Sequence, residues 1–141
     1  MLAGKRVVVT GGTGSFGKVI VRRLLEGEVG LPAKVVVFSR SEATQHQMRL
    51  DFQQRRVATD EIVYEEERHS RLHFQVGDIR DPSSVVSVLR DADVVFHAAA
   101  LSSPWGPDAV FQSANVELTR RLLEGASAAS TRASASRLVR A

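Results

Sequence analysis

The 141-residue sequence contains no cysteine, one tryptophan, one tyrosine, two methionines and four prolines. Without cysteine there is neither a disulfide framework nor a thiolate metal site. No apolar run approaches the length of a membrane-spanning helix, so no membrane partner is expected. Lys5 and Arg6 precede only a short apolar stretch that glycines end at once, which is not the pattern of a signal peptide. These absences predict a cytoplasmic, soluble protein. The formal charge of +3 is small, and bases alternate with acids in stretches such as RRVATDEIVYEEERHSR. Such a mixture reads as a solvated face and not as a nucleic-acid stripe. With 43% apolar residues the chain can bury one core, as a single domain or a piece of one.

The chemistry-bearing feature is Thr10-Gly11-Gly12-Thr13-Gly14-Ser15-Phe16-Gly17. It follows RVVVT, a β-branched run suited to a buried parallel strand. It precedes Val19–Leu25, where apolar residues recur at helical spacing. A glycine-rich turn between strand and helix cradles dinucleotide phosphates. On that reading Gly11 permits the tight turn, Gly14 lets the backbone approach the pyrophosphate, and Gly17 lets helix and strand pack closely. Free N–H groups and the positive end of the helix dipole then face the phosphates.

Alternation continues along the chain. Lys34–Phe38 reads as strand two and Glu42–Arg56 as a polar helix with Met48 and Phe52 turned to the sheet. Residues 58–71 form a charged insertion without period. Leu72–Val76 reads as strand three. Asp81 and Pro82 start a helix as cap and first-turn residue. Val94–His97 reads as strand four, and Asp108–Ala126 as a helix. Ala126–Ser136 is low-complexity, a helix end or a flexible tail, and Arg137–Arg140 has the look of a fifth strand's start. The pattern predicts an α/β, Rossmann-type doubly wound parallel sheet in the order 3-2-1-4-5, broken off at about strand five.

Several of these signals together resemble the extended short-chain dehydrogenase/reductases. Thr10, Gly11, Gly14 and Gly17 match that family's TGxxGxxG. Gly77-Asp78-Ile79-Arg80-Asp81 matches its turn after strand three, where the resemblance implies that the aspartate contacts adenine. His97-Ala98-Ala99-Ala100 matches the strand-four end along the ribose and nicotinamide side, and Asn115 matches a helix asparagine near the active site. Within the family, the glycine turn with FSRSEATQHQMRLDF and GDIRD is similar to the inverting UDP-N-acetylglucosamine 4,6-dehydratases of the CapD-like polysaccharide-biosynthesis group. Leu101–Pro107 is more similar to the 3β-hydroxysteroid dehydrogenase-like branch. The resemblance implies a nucleotide-sugar substrate and transient oxidation of a sugar carbon.

Strand two ends in Ser39-Arg40, where an acidic residue would accept hydrogen bonds from a ribose diol. A guanidinium suits a 2′-phosphate and stacks on adenine, so NADP is expected before NAD. Expected cofactor contacts are therefore Thr10, Gly11, Gly14, Ser15, Phe16, Gly17, Ser39, Arg40, Asp78, Ile79, Ala98, Ala99, Ala100 and Asn115. His97 reads as a packed strand-end residue rather than a catalyst. The family's Tyr-x-x-x-Lys does not occur: the one tyrosine is Tyr64 and the last lysine Lys34. The chain thus reads as the cofactor half of an enzyme about twice as long. Two other readings are a non-catalytic dinucleotide-binding module, and a remnant whose sheet edge is unstable alone or pairs as a homo-oligomer.

Overall fold

A computed structural model describes residues 1–54, 70–101 and 105–138. Four parallel strands stand in the order β3-β2-β1-β4: β1 (Arg6–Thr10), β2 (Lys34–Ser39), β3 (Leu72–Val76) and β4 (Val94–His97). The order places β1 between β2 and β4, with Val8 opposite Val36 on one side and Val95 on the other. The expected order of the first four strands is thus observed. It follows from right-handed crossovers running first one way from β1 and then the other.

The helices are α1 (Ser15–Glu26), α2 (Glu42–Gln54), α3 (Pro82–Leu89), α4 (Asp108–Phe111), a wide-turned π-helical segment (Gln112–Glu117) and α5 (Leu118–Leu138). Strand alternation distributes them over both faces. Val7, Val9, Val35 and Val37 point to one side, where Val21, Leu24 and Leu25 of α1 and Met48 of α2 complete a buried cluster that Phe52 joins from its edge. Val8 and Phe38 point to the other, against Val85, Val88 and Leu89 of α3 and Leu122 and Ala129 of α5. Each valine-rich strand is covered on both faces, as parallel sheets require. Met48 and Phe52 are core residues, as their spacing predicts.

Of three local expectations, one falls largely outside the described residues and two change. First, α2 is described to Gln54, while Arg56 and nearly all of the charged insertion, Tyr64 included, lie outside the described residues. Second, the helix expected from Asp108 to Ala126 is not uniform, because the turn widens over Gln112–Glu117 before α5 resumes the α-helical pitch. Third, Arg137 and Leu138 are the end of α5 and not a fifth strand, and the Ala/Ser-rich stretch is helical. No glycine or proline interrupts residues 126–138, and alanine is the best helix former, so nothing local stops the helix. Among the described residues no helix is long and apolar enough to cross a membrane.

Candidate dinucleotide site at the strand ends

Because the strands are parallel, all four carboxyl ends lie on one edge, where ligands of open α/β sheets bind. Loop hydrogen bonds stitch these ends together. Gly11 N–H donates to Phe38 O (3.2 Å), Ala98 N–H to Thr10 O (3.0 Å) and Gly77 N–H to Ser39 O (3.1 Å). The expected contact residues of β1, β2, β3 and β4 are therefore assembled side by side, although they are up to about ninety positions apart in sequence, a span read from Thr10 and Ala100.

The three glycines of the turn differ in what holds them. Gly11 has φ +67°, and a Cβ there would lie 2.6 Å from Ala99 N, so both conformation and the neighbouring chain demand glycine. A Cβ on Gly17 would overlap the Gly11 carbonyl oxygen and come within 2.6 Å of Gly12 Cα, so α1 can dock on the turn only without it. Gly14 is different. Its φ is −73°, which any residue adopts, and a Cβ would meet only Gly11 O at 3.4 Å. It is exposed, and as the residue before α1 it offers no side-chain acceptor to the first-turn N–H groups. No acidic residue occupies that turn, where Ser15 and Phe16 are exposed. The protein's own packing does not require a glycine at position 14. A cradle that a Cβ would narrow, lined by uncapped amides at a helix's positive end, fits a phosphate group.

At the β2 end, Ser39 is half-buried and Arg40 exposed. After β3, the Asp78 carboxylate receives Arg80 Nε (3.0 and 2.9 Å), Arg80 Nη2 (2.6 Å) and the Arg80 backbone N–H (2.9 Å). These bonds hold its pKa below the ordinary carboxylate range, with the charge of Arg40 adding to the effect. Ile79 beside it is buried in the second core cluster. Arg121 Nη1 donates to Arg80 O (3.2 Å) while its Nε meets Glu117, which Arg120 also engages, so α5 braces this turn. Asp81 caps α3 through Ser83 N–H and Ser84 N–H and both hydroxyls, which pull its pKa down to about 2.

The β4 end is held by two devices. Thr10, 1% exposed, bonds His97 Nδ1 through its hydroxyl (2.6 Å), and His97 Nε2 bonds Thr119 Oγ1 (3.0 Å). Thr119 Oγ1 donates to Asn115 O (2.5 Å), so its oxygen accepts from His97 Nε2–H. Neutral His97 then accepts from Thr10 at Nδ1, and all three groups are satisfied. Burial favours that neutral form. His97 is a packed strand-end residue, as expected, and Thr10 presents its side chain inward rather than toward the strand-end opening. Asn115, on the π-helical segment, clamps one residue of the following loop: Leu101 N–H donates to its Oδ1 (2.7 Å) and its Nδ2 donates to Leu101 O (3.2 Å). Its amide thus shapes the exit of Ala98, Ala99 and Ala100 through the backbone. Residues 102–104 lie outside the described residues.

The family described as polysaccharide biosynthesis protein matches residues 7–127, a span that starts in β1 and ends in α5. The chain belongs to that family. It is 35% identical over 102 residues to a UDP-glucose 4-epimerase of Rickettsia typhi, covering 72% of this chain and 26% of that protein. It is also 35% identical over 101 residues to a UDP-N-acetylglucosamine 4,6-dehydratase (inverting) of Campylobacter jejuni, covering 72% and 25%. Among solved structures, the dTDP-glucose 4,6-dehydratase DesIV of Streptomyces venezuelae, a double mutant with NAD and DAU bound, superposes with TM-score 0.66 at 31% identity. That match covers 89% of this chain and 36% of DesIV. The chain therefore spans about a quarter to a third of the length of such relatives. The identity to the epimerase equals that to the dehydratase.

Sequence reasoning passed over two residues that build this site, and it gave no packing reason for a third, Gly77. Gln45 is buried, and its place three and seven positions before Met48 and Phe52 is the signal: it stands on the inward stripe of α2. Thr119 completes the His97 chain. Gly77 is glycine because a Cβ would press into the Phe38 ring, within 2.8 Å of Cζ. That contact joins residues from different strands, and no local pattern announces it.

Proposed function

We propose that this chain holds the nicotinamide dinucleotide, NADP before NAD, of a nucleotide-sugar 4,6-dehydratase or epimerase of polysaccharide biosynthesis. The observation that carries the reading is the contrast within the turn. Protein packing accounts for Gly11 and Gly17, whereas Gly14 keeps open a space the fold itself does not use. Family membership and the NAD-bound DesIV structure support the same reading.

When bound, the dinucleotide would supply a hydride acceptor that takes hydrogen from a sugar carbon and returns it. The residues of this chain would bind and orient it. The first-turn amides of Ser15, Phe16 and Gly17 would meet the pyrophosphate at the helix's positive end. Ser39 and Arg40 would receive the 2′ end of the adenosine, and Asp78 and Ile79 the adenine. Ala98, Ala99 and Ala100 would leave room along the ribose and nicotinamide, with Asn115 fixing their exit through Leu101. The same proposal places the chain in the cytoplasm with a nucleotide sugar as its small-molecule partner.

Two small substitutions test it. Gly14→Ala should leave thermal stability nearly unchanged, within about 0.5 kcal/mol, because its backbone and its surroundings tolerate a Cβ. It should weaken NADP and NAD alike by at least about tenfold, since the added carbon stands where a phosphate would approach. Gly17→Ala should lower stability itself, because backbone must move. Calorimetric titration with thermal unfolding separates these outcomes. Full affinity in folded Gly14→Ala would remove the proposal.

A further inference from the structure

Gln45 is 3% exposed, and its carboxamide reaches across the ends of two strands. Three oxygens surround one atom of it: Gln75 O at 2.9 Å, Ser39 Oγ at 3.0 Å and Ser39 O at 3.3 Å. Two are carbonyls that only accept, so the atom facing them is the nitrogen. Its two hydrogens serve three acceptors. All three lie within hydrogen-bond distance of the nitrogen, Gln75 O nearest.

This bonding determines what Ser39 offers outward. A carboxamide nitrogen accepts nothing, so Ser39 Oγ is an acceptor toward Gln45 and its own proton is free to point elsewhere. Ser39 is half-buried and ends β2 beside exposed Arg40, on the edge where the strand carboxyl ends lie. A phosphate monoester is a pure acceptor, while a ribose diol also has protons to give. A hydroxyl presented as donor next to a guanidinium matches the phosphate, just as a carboxylate in that place would match the diol.

We propose that Gln45 is a positioning residue for cofactor choice: it fixes the Ser39 hydroxyl as a donor and so favours the 2′-phosphorylated dinucleotide. This rests on the dinucleotide reading of the glycine turn. Gln45 also ties β2 to β3, and that structural contribution alone would stabilise the fold without separating NADP from NAD.

The dissociation constants of NADP and NAD for the whole 141-residue chain are measured by calorimetry for the unmodified protein, Ser39→Ala, Gln45→Met and the double variant. Ser39→Ala should reduce the preference for NADP by about tenfold, the loss of one charge-assisted hydrogen bond. Gln45→Met should reduce it by about threefold to tenfold and leave NAD within about threefold, because the hydroxyl stays but is no longer oriented. The double variant should show the preference of Ser39→Ala alone, since one residue acts through the other. Equal weakening of both cofactors in Gln45→Met, additive losses, or an unmodified chain that prefers NAD would each overturn the proposal. If Gln45→Met does not fold, Ser39→Ala decides: a reduced preference upholds the donor assignment and an unchanged one ends it. A chain that binds neither dinucleotide defeats the glycine-turn reading itself, whereas binding of both with an unmoved ratio defeats only the role of Gln45.

Discussion

Arg40 stands exposed beyond the last residue of β2, and its charge reaches Asp78 on the neighbouring strand's exit. Among the described residues no ion pair ties the Arg40 guanidinium to a carboxylate, which leaves it able to meet a ligand phosphate. Arg40→Ala should therefore weaken NADP more than NAD, by roughly 1.5–3 kcal/mol, the worth of a charged hydrogen bond. Parallel titrations with the two cofactors measure the difference. Equal losses would mean that Arg40 stacks on the base, and no loss would leave it a solvated side chain. Ser39 and Arg40 were legible because they end a clear strand. Gln45 carried a weaker signal, its place on the stripe of Met48 and Phe52, and its bonds to Ser39 and Gln75 exist only once α2 is laid on the sheet.

At the scale of elements, His97 joins β1, β4 and α5 through Thr10 and Thr119, and burial lowers its pKa from the ordinary 6.5. His73 on β3 shifts the same way, by burial first and then by the charges of Lys34 and Arg6. In the unfolded chain both take up protons near pH 6.5, while in the folded chain they do so only lower. Between those values the unfolded state binds more protons, so stability falls as pH drops below about 6.5. The melting temperature should accordingly decline between pH 7.5 and pH 5.5, and the double variant His73→Gln, His97→Gln should decline less steeply. An equal slope in that variant would assign the dependence to other groups. Of the two readings of residues 126–136, a helix end or a flexible tail, the helix is the one observed at this scale. A run of alanine and serine carries no face of its own, and Ala129 is seen to be core only where α5 meets α3.

Across the whole molecule, burial is deepest in the central pair of strands. Val7, Val9, Val35 and Val37 are all 0% exposed, and β1 is paired on both sides. Hydrogen exchange should find the amides of β1 and the adjoining β2 opening only with global unfolding, ahead in protection of β3 and β4. Slower exchange in β4 than in β1 would contradict that ordering. The chemistry has a whole-molecule test as well. The 141 residues contain no Tyr-x-x-x-Lys, and Tyr64, outside the described residues, is the sole tyrosine. Incubated with NADP and UDP-N-acetylglucosamine, this chain by itself should bind cofactor and form no 4-keto-6-deoxy sugar, because its sequence has no Tyr-x-x-x-Lys to move the hydroxyl proton. Chromatography of the products reads the result, and a product that vanishes in Tyr64→Phe would give that tyrosine the proton-transfer role.

Strand identity, the two-faced helix alternation, the glycine turn and the polar pair at the end of β2 were all determined by the sequence itself. Each is a pattern within one short segment, and parallel β-branched strands admit few arrangements. The tertiary structure alone decided which glycines are held by the fold and which keep a space open. It also decided that Asn115 works through the backbone of Leu101, and that His97, Thr119 and Gln45 share in building the strand-end edge. All of these are contacts between segments distant in sequence. Hydrogen-bond direction and the clearance around a missing Cβ depend on where the partner backbone lies, and no spacing along one segment encodes that position.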